Sequence, residues 1–406
     1  MERIGQSRIG MSRWCGRLLA VCIGLLSIVA IVVSASANVL DGRVEPYHPD
    51  VDYFPDKVHV HEATGFTVSY HRHYKVVTVR NPWRNAKQTF EYVLVQRGTP
   101  TPEGYPKAQH IEVPVQRLVT LSTTYLSYLD LFGIADRLVG HSALKQVNTP
   151  AIVARIAAGQ ISEVGSGAGV NVELLLDLNP DLIMTHAMGV PSHDVHPKLL
   201  EAGLKVAVNA AYMDTTPLGR TEWMKFIALF FNREAVAEHL FRDMATAYEH
   251  LASRTRQARM KPAVLLQSTY QGTWFVPGGN SYKATFLKDA GATYLWADDT
   301  STGSLRLDFE TVFERARQAD FWLVNTSGWT RIQDVLAADE RYANFAALQP
   351  GRVYNNNARV NAHGGNDYWE TGTANPHLML ADLVRIFHPD ILPDHELMWY
   401  RPLNRE

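Results

Sequence analysis

The chain has 406 residues, of which 46% are hydrophobic and 20% charged, with a formal net charge of −2. That is long enough for two or three domains, and the fractions are those of ordinary globular proteins. The balance of charge excludes a nucleic-acid-binding surface of the basic kind.

The first 37 residues stand apart. Arg3, Arg8, Arg13 and Arg17 precede an apolar run over residues 18–33, and Ala35-Ser-Ala37 follows with small residues at the cleavage spacing. This is the pattern of a secretory signal peptide cut after Ala37. A retained anchor is the competing reading, because the run is only slightly shorter than the roughly 17–25 residues of a spanning helix. Lipidation at Cys22 is disfavoured, since Val21 stands where a small residue is wanted. Both cysteines, Cys15 and Cys22, fall in this segment, so the mature chain is expected to lack thiols and disulfides and to depend on its core. Removal takes away four Arg and one Glu, leaving 35 basic against 40 acidic side chains and a net charge near −5.

Residues 38–106 alternate in the manner of strands, at 66–70, 74–79 and 90–95, and predict a small antiparallel β meander. Thr99-Pro-Thr-Pro102 to Pro106 then reads as a connector. His59 with His61, and His71 with His73, place paired imidazoles on strand faces. No cysteine exists to complete a metal shell, so solvent-facing histidines are the better reading.

The next segment, 107–232, predicts an α/β lobe. Residues 117–121 read as a strand, 125–131 as a helix closed by Gly133, and 171–176 as a helix leading into a strand at 181–185. Residues 233–261 contain neither glycine nor proline. Val236, Leu240, Met244, Ala247 and Leu251 fall at helical spacing, while Arg242, Glu249, Arg254 and Arg256 stay available to water. They predict one bridging helix of roughly 40 Å that resists large hinge closure. The order then recurs in 262–406: strand 263–266, helix 282–290 closed by Gly291, helix 308–313 and strand 320–324. Asn171 and Asp308 stand at the helix caps, with Glu173 and Glu310 in the first turns. The fold class is therefore α/β, with two Rossmann-like lobes of parallel sheet, one long helix between them and a small N-terminal β meander. Such sheets bind ligands at the carboxyl ends of their strands, so the lobes should enclose a cleft.

Several chemistries fail on spacing. Gly165-Ser-Gly-Ala-Gly169 has Val170 where a dinucleotide fingerprint needs glycine, and no P-loop lysine follows. Gly140-His-Ser142 lacks the closing glycine of a nucleophile elbow, where Leu144 stands. His141 and His186 follow predicted strands and are candidates for a bare cation or a haem iron, with Asp298, Asp299 or His363 across the cleft; loop histidines bonded to backbone are the plainer reading.

The loops at the expected strand ends are rich in aromatics: Tyr125, Tyr212, Tyr270, Trp274, Tyr282, Trp296, Trp329, Tyr368 and Trp369. Large rings with a polar tip suit a bulky, partly apolar ligand, and Arg306 adds a charge for an anionic chelate.

Particular motifs carry a family resemblance. They are Val113-Pro-Val-Gln-Arg-Leu-Val-Thr-Leu-Ser122, Leu138-Val-Gly-His-Ser142, Asn171-Val-Glu-Leu-Leu-Leu-Asp-Leu-Asn-Pro-Asp-Leu-Ile183, Gly203-Leu-Lys-Val206, and the stretch from Gly272-Thr-Trp-Phe-Val-Pro-Gly-Gly279 to Trp322. Over roughly residues 66–388 the chain resembles the periplasmic substrate-binding proteins of ABC importers for ferric siderophores, haem and cobalamin. The resemblance implies a non-enzymatic receptor with no intrinsic cofactor, holding a metal chelate between its lobes and delivering it to an ABC permease in the inner membrane. It also implies an acidic docking residue on each lobe. Asp194 stands near the first-lobe position, the second-lobe position near Lys283-Ala-Thr285 is not acidic, and Glu201 and Asp289 are the substitutes. A receptor for a free transition-metal ion and a secreted two-lobed enzyme are the alternatives.

Overall fold

A computed structural model describes residues 42–404. The signal segment, its cleavage after Ala37 and both cysteines lie outside the described residues. Among the described residues no helix is long and apolar enough to cross a membrane.

Four strands form the N-terminal sheet: β1 (Phe66–Tyr70), β2 (Tyr74–Val79), β3 (Phe90–Gln96) and β4 (Gln109–Val113). The first three are the antiparallel meander read from alternation. The fourth adds parallel to β3, after the proline-bearing connector has crossed back.

The first lobe is a parallel sheet in the order β7-β6-β5-β8-β9, with β5 (Leu118–Thr120), β6 (Leu138–His141), β7 (Ser162–Glu163), β8 (Leu182–Thr185) and β9 (Val206–Val208). The second lobe repeats it as β13-β10-β15-β16-β17, from β10 (Ala263–Leu266), β13 (Thr293–Tyr294), β15 (Phe321–Val324), β16 (Val353–Asn355) and β17 (Arg401–Pro402), of which only β17 runs antiparallel. A three-stranded antiparallel sheet of β11 (Thr269–Tyr270), β12 (Thr273–Pro277) and β14 (Ser304–Leu307) is appended to it.

Local chemistry explains the recurrence. Asn171 Oδ1 accepts from Leu174 N at 3.0 Å, and Asp308 Oδ1 accepts from Thr311 N at 2.7 Å, so the same cap opens the same helix in each lobe. Gly133 and Gly291, at φ +65° and +73°, close the earlier helix of each lobe.

The bridging helix runs Glu234–Arg256, 23 residues or about 34 Å, ending earlier than its glycine-free sequence suggested. It packs against the helices Pro217–Leu229, Tyr282–Asp289 and Pro376–Phe387. Its buried stripe is Ala237, Phe241, Met244, Tyr248, Leu251, Ala252 and Thr255. Val236 and Ala247, expected inside, are exposed, because the rings of Phe241 and Tyr248 turn the core face by one residue. Arg242, Glu249, Arg254 and Arg256 face solvent as expected.

Two charged side chains lock the N-terminal segment onto this frame. Glu222, fully buried, accepts from the backbone N–H groups of His61 (3.0 Å), Glu62 (2.6 Å) and Ala63 (2.7 Å) and pairs with Lys225 at 2.9 Å. Lys75, also fully buried, donates to Leu229 O, Asn232 Oδ1 and Glu234 Oε1 at 2.5, 2.9 and 2.6 Å. The N-terminal sheet further bonds along β9. Gln109 donates to Val206 O (2.7 Å) and accepts from Val206 N (2.9 Å), and Tyr92 Oη accepts from Val208 N (2.9 Å).

Candidate functional site

The residues that follow β5, β8 and β9 converge on an open cavity of about 280 Å³, lined by Ser122, Thr124, Tyr125, His186, Met188, Asn209, Ala211 and Tyr212. It opens at the carboxyl ends of parallel strands, where a sheet of this kind leaves its ligand crevice. The exposed lining is mainly apolar, carries a few hydroxyl, amide and imidazole groups, and has no fixed charge. Desolvation, followed by the Asp194 carboxylate, pushes the Tyr212 phenol up to about 12, so at neutral pH it is a hydrogen-bond donor. Burial also raises the Tyr125 phenol well above the ordinary range. Although His186 is exposed at the cavity mouth, the surrounding walls desolvate it enough to lower its pKa, with Asp194 opposing; this favours the neutral imidazole.

From Tyr212, whose backbone O accepts from Arg220 Nη2 at 2.8 Å, contacts lead into the second lobe. Tyr282 lies under the Arg220 guanidinium, 3.9 Å from the ring centroid, and Thr285 Oγ1 donates to Thr215 O at 3.2 Å. Lys283 Nζ stands 5.7 Å from the centroid of the half-buried Trp369. Desolvation and the nearby Arg220 lower its pKa to about 8. Tyr368 is buried beside Tyr400, with hydroxyls 3.4 Å apart.

The lobes are tied directly. Glu370, 1% exposed, accepts from Asn148 N (2.8 Å), Thr149 N (2.8 Å) and Thr149 Oγ1 (2.6 Å). Asn361 Nδ2 donates to Lys145 O and Val147 O at 3.1 and 3.2 Å. Glu370→Gln puts an NH₂ group against donors and should lower stability by about 1.5–3 kcal/mol, the worth of hydrogen bonds to a charged group. Urea unfolding checks the loss and hydrogen exchange at the Thr149 amide checks its place; an unchanged midpoint would show that Glu370 does not hold the lobes.

Of the residues singled out from sequence, Tyr125, Tyr212 and His186 line the cavity, whereas Tyr282 and Tyr368 are buried and Trp369 is half-buried in the second lobe, outside that lining. Four others are engaged elsewhere. Trp274 is wholly buried in the second-lobe core, donating Nε1–H to Leu266 O at 2.9 Å and packed on Trp322, Tyr342 and Phe345. Trp296 is 4% exposed against Tyr294. Trp329 packs on Trp322 and Tyr342. Arg306 lies on β14 against the Phe275 ring of the neighbouring strand. Alternation along β12 places Trp274 inward, and a large ring on a strand satisfies a core before it satisfies a cleft. Tyr270 is 66% exposed on the β11–β12 hairpin.

His141 is fully buried, its Nδ1 bonded to Thr120 Oγ1 at 2.8 Å, and is not part of the lining, so it does not join His186 there. Among the described residues no group of three or more His, Cys, Asp or Glu gathers as a metal shell would require. Asp194 closes its own loop by accepting from Met188 N, Gly189 N and Val190 N at 2.7, 2.8 and 3.1 Å. Asp289 accepts from Tyr248 Oη at 2.7 Å. Both carboxylates already serve the chain's own bonds, whereas Glu201 stands exposed.

Ser122, Thr124, Met188, Asn209 and Ala211 are lining residues that motif reading missed. Their only signal was position just beyond a strand end.

Comparison with known proteins agrees with this architecture. The sequence pattern of the periplasmic binding protein family matches residues 118–360, and the chain belongs to that family. An uncharacterized lipoprotein of Methanocaldococcus jannaschii is 26% identical over 311 residues, covering 73% of this chain and 70% of its own. Among solved structures, a Helicobacter pylori protein with Ni(II) bound has TM-score 0.54 and 18% identity, covering 73% of this chain and 92% of its own. A periplasmic heme binding protein from Pseudomonas aeruginosa has TM-score 0.51 and 20% identity, covering 71% and 98%. These structural likenesses establish the fold.

Proposed function

We propose that the protein is a non-enzymatic receptor that works outside the cytoplasm, captures a metal chelate of the siderophore, haem or corrinoid kind between its lobes, and delivers it to an ABC permease. The observation that carries this reading is the cavity lining: hydroxyls, an amide, a thioether and one imidazole, with no carboxylate or thiolate. A bare transition-metal ion wants three or four such ligands, whereas a preformed chelate wants contact area and a few hydrogen bonds. The family membership and the signal-peptide pattern of residues 1–37 support export, and the cleft lies open to receive a ligand from solution.

The test is titration of tryptophan fluorescence in the mature protein with ferric siderophores, haem, cobalamin and free metal ions, since a coloured ligand held between the lobes should quench the protein's indoles by energy transfer. One-to-one saturable quenching by a chelate is expected. Tyr212→Ala should then weaken binding roughly tenfold, the loss of about 1.5 kcal/mol of ring contact. A response to free metal alone would promote a His186-centred ion site, and no response to any probe would overturn the reading.

A further inference from the structure

The N-terminal sheet precedes the region matched by the family pattern, and one of its connections reaches the cleft. Residues 80–89 link β2 to β3 and lie against both lobes. Pro82 O stands 3.5 Å from Tyr212 Oη, the hydroxyl that donates to Ala187 O at 2.8 Å. The indole of Trp83 lies over Gly189: a Cβ there would stand 2.6 Å from Trp83 Nε1, and Gly189 has φ +75°, so only glycine admits the ring. Trp83 is held from behind by His196 and Phe90, with ring centroids 5.7 and 6.2 Å away.

Arg84 then crosses to the second lobe, where a Cβ built on Gly303 would stand 2.7 Å from Arg84 Nη1. Gly303 O accepts from Gly278 N at 2.7 Å, in the turn that leads to Ser281 and the helix headed by Tyr282. Three consecutive residues thus touch the pocket tyrosine, the loop carrying Met188, and the opposite lobe. Arg84 is exposed, and its guanidinium makes no ion pair among the described residues.

We infer that residues 82–84 form a third wall of the ligand site, and that Arg84 recognises an anionic group on the ligand, a carboxylate or catecholate oxygen. The inference rests on the chelate reading of the cleft. The first-lobe lining has no fixed charge of its own. A guanidinium held at the junction of the lobes therefore supplies what neutral hydroxyls cannot: a planar, permanently charged donor pair for an oxyanion. Because the wall comes from outside the family core, it can set ligand charge preference without altering either lobe.

The test compares wild type, Arg84→Ala and Arg84→Lys by fluorescence titration with a trianionic ferric tris-catecholate, haem with its two propionates, and an uncharged ferric trihydroxamate. Loss of a charge-assisted contact predicts about tenfold or greater weakening for an anionic probe in R84A, with partial recovery in R84K. Binding of the uncharged probe should stay within about twofold of wild type, and the thermal midpoint of R84A should not move, as expected of an exposed side chain. If R84A matches wild type for whichever probes bind, or loses the uncharged probe equally, the role of Arg84 is overturned while the cleft stands. If wild type binds none of the three but binds cobalamin, the role of Arg84 is overturned while the chelate reading stands; if it binds neither these nor cobalamin, the chelate reading falls and takes this inference with it.

Discussion

Lys75→Met is expected to destabilise the protein by about 3–5 kcal/mol, the usual consequence of removing one partner from a buried ion pair. The ammonium has no solvent exposure and satisfies three acceptors at once, while Glu234, with a side chain 4% exposed, would be left charged in an apolar surround. Burial lowers the Lys75 pKa, and the Glu234 carboxylate opposes that shift. The double variant Lys75→Met, Glu234→Leu should recover at least about 2 kcal/mol of the loss, because the stranded charge goes with its partner. Urea denaturation of both variants decides the matter; a single-variant loss below about 1 kcal/mol would mean that the pair is not what joins β2 to the head of the bridging helix. The junction bears on function, since β2 and β3 carry the connection that reaches the cleft.

A second large effect should appear with pH. Burial lowers the His141 pKa to about 4, with the Thr120 hydrogen bond only partly opposing it. An unfolded chain binds a proton at this residue near pH 6.5, so between those values the unfolded state holds more protons than the folded one. His141 therefore leaves stability intact above pH 6.5 and withdraws about 3 kcal/mol as pH falls from 6.5 towards 4. Other lowered histidines, among them His196 and His377, act in the same direction. His141→Gln isolates this one: its amide can still meet Thr120, and its acid unfolding profile should be flatter than wild type by that amount. Parallel profiles would place the titration elsewhere.

Much of the fold was legible because repetition and capping are local signals. Asn171 and Asp308 declare their helices in the sequence, and strand 263–266 could be read to the residue. The helix Pro217–Leu229 was not legible: nearly every residue is buried, including Glu222 and Lys225, so no polar face marks its period. Part of the lining was legible for a different reason. Tyr125 and Tyr212 lie beyond a strand end, where position says cleft, whereas Trp274 and Trp296 lie where only the packing of neighbouring rings decides. Small lining residues such as Ala211 and Thr124 carry no signal in type at all. The resemblance to siderophore, haem and cobalamin receptors was read from motifs, and the family match over residues 118–360 agrees with it.

The pairing of Gln109 and Tyr92 with β9 has a consequence for crowding. β9 is the last strand of its sheet, and a bare last strand offers its peptide groups to any passing extended segment. Here both groups of Val206 and the N–H of Val208 are already occupied by side chains rather than by another strand. That border of the sheet cannot template the growth of an aggregate. Losing the Gln109 amide would unseal it, so Gln109→Ala should aggregate at concentrations where the wild type stays monodisperse.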